Sequence, residues 1–158
     1  MHSTEKKGHG GPAFLLAQVG AHAASKFAER IGALGLTPPD AGILRMLRLT
    51  AGLSQQELAA KLGIHPSRLV ALLDELERKE LVERKSNPDD RRQYSLRLTE
   101  KGATRLEEIG HVAQQHQEAL CAGLSLEERD KLAELLRKIA DQQGLTPMVH
   151  PGYRWIKR

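Results

Sequence analysis

The chain has 158 residues, an aromatic content of 3% and a formal net charge of +4. That length holds one ordinary domain with a real core, and so few aromatics mean a core of Leu, Ala, Ile and Val in a mostly helical chain. A single cysteine, Cys121, excludes an intramolecular disulfide framework, no apolar run reaches bilayer length, and the polar start has no hydrophobic segment behind it; a soluble, reducing, cytoplasmic setting with no membrane partner is expected.

Residues 1–11 have little to bury and read as a tail. From Pro12 to about Gly35, the residues Phe14, Leu15, Val19, His22, Ala23, Phe27 and Ile31 recur at helical spacing. Thr37-Pro38-Pro39 stops that helix and caps a second, whose apolar side is Ile43, Leu44, Met46 and Leu47 and whose end lies near Gly52. Ser54-Gln55-Gln56-Glu57 matches a capping box and opens a short helix through Leu62. Gly63 supplies the left-handed residue that ends it, and Pro66 opens a further helix to about Lys79.

Leu81–Lys85 then has the length of a short strand, Ser86–Asp90 is a dense turn cluster, and Tyr94–Leu98 alternates as a returning strand. Thr99 caps a helix running to about Ala122. Gly123 breaks it, Ser125 caps the last helix, and Gly144 ends that one. Residues 145–158 have no clear period, although Tyr153–Arg158 could pack across a dimer.

Two short helices cross steeply only when small or apolar residues fill the joint. Leu58, Ala59, Leu62, Ile64, Leu69 and Leu72 occupy the inward positions between Ser54 and Lys79, a pattern that fits a helix-turn-helix and that a generic helical hairpin also shows. A strand, a Pro-Asp-Asp-Arg-Arg turn and a second strand follow directly, the sequence form of a β-wing. Basic residues gather there: Arg78, Lys79, Arg84, Lys85, Arg91, Arg92 and Arg97, seven against the four acids Glu80, Glu83, Asp89 and Asp90. Guanidinium groups at a hairpin tip suit the narrow, negative minor groove, and Asp90 is spaced to hold Arg92 by a charge-assisted hydrogen bond.

On these residues the segment LSQQELAAKLGIHPSRLVALLDELERKELVERKSNPDDRRQYSLRLTEKG resembles the multiple-antibiotic-resistance regulator (MarR) family, within residues 37–102. The resemblance implies a mainly α fold with a small β-wing. It implies an N-terminal dimerisation helix (12–36), a winged helix-turn-helix DNA-binding domain (37–98), C-terminal dimerisation helices (99–144) and a tail (145–158). It further implies a homodimer that regulates transcription, as a repressor or alternatively an activator, from a pseudo-palindromic site on double-stranded DNA. A small aromatic or anionic effector would act by preferring one spacing of the two lobes over the other. By the same resemblance Asp90 and Arg92 fall on the wing motif, and Pro66-Ser67-Arg68 opens the recognition helix. The chain departs from the family in having Glu80 where Gly often ends that helix, and Val70 and Ala71 where polar residues are common.

Turned at about 100° per residue, the recognition helix buries Leu69, Leu72, Leu73 and Leu76. Ser67, Val70, Ala71, Asp74 and Arg78 lie opposite, with Arg68 on a flank. Ser67 and Arg68, nearest the N-terminus, are the expected polar base contacts, Val70 and Ala71 are placed for thymine methyls, and Arg78 for a phosphate. Arg91 and Arg92 are expected at the wing tip. His65 either touches phosphate or begins the helix, and His22, on the apolar side of the first helix, reads as an ordinary partly buried histidine, with lining a ligand cavity as the alternative. Cys121 reads as a small buried apolar side chain rather than a redox sensor.

No phosphate-binding glycine loop, nucleophile elbow or set of paired carboxylates occurs, so neither an enzyme nor a cofactor is expected. Glu107/Glu108 and Glu127/Glu128 read as solvated helix charges. The seven histidines show no metal-ligand spacing. A winged module that contacts proteins without DNA is the alternative reading.

Overall fold

A computed structural model describes residues 8–87 and 89–150; the side chains at 87 and 90–93 lie outside the description as well. The order is α1 (Pro12–Gly32), α2 (Pro38–Leu49), α3 (Gln55–Leu62), α4 (Pro66–Arg78), β1 (Val82–Asn87), β2 (Asp90–Leu98), α5 (Glu100–Leu120) and α6 (Leu126–Gln142). The ribbon strand β2 begins at Asp90, earlier than alternation alone marks, because Asn87 pairs with Asp90 across an irregularity that follows Ser86. The tail segment Tyr153–Arg158 lies outside the described residues.

The core belongs to the middle of the chain. Ile43, Leu44, Leu58, Leu69, Leu73, Leu76, Val82 and Leu96 are buried together, joined by Ile31 from α1 and Ile109 from α5. All the inward positions expected of the helix-turn-helix are covered: Leu58, Ala59, Leu62 and Leu69 are buried, and Ile64 and Leu72 pack partly exposed against them. The two-stranded antiparallel ribbon sets Val82 against Leu98 and Arg84 against Leu96. A backbone bridge from Ser54 to Ser95, with Leu96 N–H donating to Leu53 O at 2.9 Å, ties the ribbon to the start of α3.

Helix starts follow side-chain chemistry. Thr37 with Asp40 and Ser125 with Glu128 form complete capping boxes at α2 and α6. At α3 only half of the expected box forms: Ser54 Oγ accepts from Glu57 N–H at 3.1 Å, and no reciprocal bond from the Glu57 carboxylate is made.

Helix ends share one device. After α1, α3, α4 and α6 the chain closes with a 6→1 and a 5→2 backbone bond, the Schellman arrangement. Gly35, Gly63 and Gly144 supply the left-handed residue at three of these ends; at α4 the residue is Glu80, with φ +62. Its neighbour Leu81 donates to Leu76 O at 3.0 Å. The same turn seats α5, since Thr99 Oγ1 donates to Glu80 O at 2.6 Å. A Cβ on Gly102 would stand 2.0 Å from Leu81 O, so only glycine admits the first turn of α5 here.

α6 contributes no buried residue at all, and α1 only Ile31. His22 is exposed rather than partly buried, near enough to His116 of α5 to act on its charge. Cys121 is half-buried at the end of α5, with its carbonyl accepting from Arg129 Nε at 3.1 Å.

Candidate nucleic-acid interface

α4 has an apolar side locked into the core and a polar side left open. Leu69, Leu73 and Leu76 are fully buried, and Leu72 partly. Ser67, Ala71, Asp74 and Arg78 are exposed, while Arg68 and Val70 are half-buried on the flanks. The helical-wheel assignment therefore holds, with Val70 turned further inward than expected.

The N-terminus of α4 is capped by a histidine. His65 Nδ1 accepts from Ser67 N–H at 3.2 Å and lies 2.7 Å from Ser67 Oγ. With the backbone N–H directed at Nδ1, that nitrogen is an acceptor. The Ser67 hydroxyl proton then also points to the ring, and its lone pairs face outward. His65 thus begins the helix and orients the first polar side chain of its open face.

Further along, charge pairs rearrange the expected picture. Arg78 Nε donates to Glu75 Oε2 at 3.0 Å and its terminal nitrogen to Glu75 Oε1 at 2.5 Å. This two-point hydrogen bond holds the Glu75 carboxyl down to about 2 against the opposing cost of burial, with the charges of Arg78 and Lys79 adding to the lowering. Glu75 in turn raises the Arg78 pKa. Arg78 remains on the exposed side, with part of its guanidinium committed to its own helix.

The sequence reading missed Arg84, counting it only among the basic residues of the ribbon. It sits on the core-facing side of β1, opposite fully buried Leu96, and turns its guanidinium onto α4. There its terminal nitrogen donates to Asp74 Oδ1 at 2.6 Å. Alternation was the available signal. Val82 and Arg84 share one strand face, and a charge at an inward position has to find a partner.

Asp90, Arg91 and Arg92 lie on β2 in the ribbon that adjoins this face, but their side chains are outside the described set. Among the described residues no group of His, Cys, Asp and Glu is placed to hold a metal ion, and no helix is long and apolar enough to cross a membrane.

A second feature lies away from α4. Phe27 of α1 packs between His116 of α5 and His150, with ring centroids 5.4 and 5.8 Å away. With Gly20, Ala23 and Ala24 these side chains line an open cavity of about 350 Å³. Burial, then Arg30 and His22, lowers the His116 pKa; burial, then Arg45, lowers that of His150. Arg30 Nε is buried with no hydrogen-bond partner among the described residues.

Comparison with known proteins gives these features a setting. The model of the MarR family matches residues 34–93. A putative transcriptional regulatory protein for the hcr operon of Thauera aromatica is 34% identical over 113 residues, 72% of this chain and 68% of that protein. The transcriptional repressor CouR, solved bound to a 23-mer DNA duplex, is 32% identical with a TM-score of 0.73, over 82% of this chain and 92% of that one. A cysteine-to-serine mutant of MarR from E. coli, solved with operator DNA, is 28% identical with a TM-score of 0.69, over 80% and 91% of the two chains.

Proposed function

The chain belongs to the MarR family of transcriptional regulators, and from that premise we propose that it represses transcription by binding a pseudo-palindromic operator as a homodimer. The observation that carries the reading is the open face of α4. A helix anchored by Leu69, Leu73 and Leu76 presents Ser67 and Ala71 outward at its N-terminal half, beside a ribbon whose sequence holds Arg91 and Arg92. CouR and MarR, the relatives above, were each solved on DNA.

In this reading α4 enters the major groove N-terminus first. Ser67, with its lone pairs turned outward by His65, accepts from an exocyclic amino group of adenine or cytosine. Arg68 takes a guanine edge, Val70 and Ala71 meet thymine methyls, and Arg78 leans on a phosphate. Arg91 and Arg92 enter the flanking minor groove, with Asp90 orienting Arg92. The two copies of α4 lie roughly 34–36 Å apart, one turn of DNA.

The test is selection of bound duplexes from a random-sequence pool. The expected result is a dyad with half-sites about one helical turn apart and affinity that falls steeply as salt rises. Arg92→Ala is expected to weaken binding to all sequences, and Arg68→Ala to relax preference at one base pair, by ~1–3 kcal/mol of discrimination. Failure to enrich any sequence would leave the protein-contact module as the better reading.

We place the effector in the cavity beside Phe27. An aromatic face, two imidazole rings able to hydrogen-bond and the positive charge of Arg30 acting on His116 from beside the cavity suit a small aromatic anion. Benzoate and its hydroxylated derivatives are the probes. They are expected to release the selected operator from the wild type and to fail with Phe27→Ala, through a coupling of ~1–3 kcal/mol.

A further inference from the structure

From its contacts we infer that Arg84 is a positioning residue: it locks the ribbon to α4 at a fixed angle so that the major-groove helix and the minor-groove wing engage DNA together. This rests on the operator-binding reading above. Arg84 leaves β1 at a core-facing position and its side chain is only 18% exposed. One terminal nitrogen donates to Asp74 Oδ1 at 2.6 Å and to Val70 O at 3.4 Å. Nε is buried 3.8 Å from Glu77 Oε2, too far for a hydrogen bond but close enough for attraction.

The three partners sit at positions 70, 74 and 77, one stripe along α4. A single guanidinium therefore grips more than a turn of that helix from the neighbouring strand. Leu81 ties the ribbon at its base, and at the level of Arg84 the Ser54–Ser95 bridge holds the outer strand to the start of α3. Val82 and Leu96 pack in the core with the α4 leucines, and Arg84 adds the polar link that sets the ribbon's tilt toward the open side of α4. One terminal nitrogen reaches Asp74 and Val70 while Nε stays near Glu77, a spread of charge along the guanidinium that a compact lysine ammonium does not reproduce.

This role differs from a phosphate contact in the sign of one substitution. Asp74 is an exposed helical position, and alanine is a good helix former there, so Asp74→Ala keeps the fold while freeing Arg84. If Arg84 served as a phosphate contact, removing its carboxylate partner would tighten binding. As a positioning residue, it lets the wing drift and binding weakens.

The experiment uses the full chain and the duplex that the wild type selects from a random pool, with hydroxyl-radical footprinting and fluorescence anisotropy. Native far-UV circular dichroism is checked for each variant. Asp74→Ala and Arg84→Lys are each expected to bind about tenfold more weakly, with protection lost at the flanking minor grooves and kept in the central major grooves. Wild-type or tighter binding by Asp74→Ala with an unchanged footprint overturns the inference, as does a loss spread evenly over the footprint. If the wild type itself selects no sequence, it is the operator reading that fails, and the inference falls with it.

Discussion

Glu75 and Arg78 show how one pair of residues can set the strength of a whole surface. Both lie where solvent reaches them, so their mutual attraction is worth little to stability. Its effect is on charge. A carboxyl held down to about 2 stays ionised under all ordinary conditions, and it offsets the guanidinium expected nearest to phosphate. Glu75→Gln leaves Arg78 paired by at most a neutral hydrogen bond and removes one repulsive charge from the DNA side. Affinity for operator and for random duplex should rise together, by several-fold at low salt and less at high salt. Equal affinities of variant and wild type in a salt titration would mean Arg78 does not approach the backbone. Glu80 is the second informative residue. Three helix ends with the same bonding use glycine, and Glu80 adopts φ +62 without it. Its ion pair with Lys101, at 3.5 Å between exposed groups, offsets little of that strain. Glu80→Gly is expected to stabilise the chain by about 1 kcal/mol, read as a higher midpoint in urea at an unchanged slope.

At the scale of elements, much of the fold could be read in the sequence because its signals are local. Gly63 ends α3 and Pro66 opens α4 through the backbone freedom and restriction of those residues alone, and the Leu58–Leu76 pattern names its own buried side. The misses have a different origin. The Ser54 box closes only halfway, at a point where the chain pairs with Ser95 far along it, and Arg84 acquires its role from the preceding helix. Neither partner is visible in a local window, although inward alternation in β1 marks Arg84 as a charge needing one. The open side of α4 was legible from the wheel; the His65–Ser67 contact at its start was not, since it depends on the rotamer of a capping side chain. The segment after α6 was unreadable for want of periodicity, yet it packs. His150 faces Phe27, and Arg45 of α2 donates to Met148 O. Both His116 and His150 have folded-state pKa values below the ordinary value of 6.5. As pH falls through 6.5 the unfolded chain takes up these protons first, so the stability these groups contribute above that pH is progressively lost on the way down to their folded values. Acidification from about pH 7.5 to about pH 5 should therefore lower the melting temperature more in the wild type than in a His116→Gln, His150→Gln double variant. Parallel curves for the two proteins would show that the Phe27 sandwich does not respond to protons.

At the scale of the molecule, the unexplained surface is apolar and lies at both ends of the chain. On α6, Leu132, Leu135, Leu136 and Ile139 recur at helical spacing with exposures between 38% and 45%. On α1, Phe14, Leu15, Leu16 and Val19 are exposed as well. A monomer that left both stripes wet would be unusual, and an amphipathic helix with no buried residue has little reason to stay folded. A second copy of the same chain would cover both stripes symmetrically, since in a two-fold interface each patch meets its counterpart. That dimer would also supply the second α4 that a dyad operator demands. Charge on the stripe separates the two roles. Leu132→Glu with Leu136→Glu lies outside the core formed by α2, α3, α4 and the ribbon, so that core should keep its cooperative unfolding. Light scattering should then report one chain per particle. Operator affinity should fall on the order of a hundredfold or more, because each half-site is bound without the other. A double variant that still runs as a dimer would place the interface elsewhere, and a monomer that held the full operator at wild-type affinity would remove the need for two-fold binding altogether.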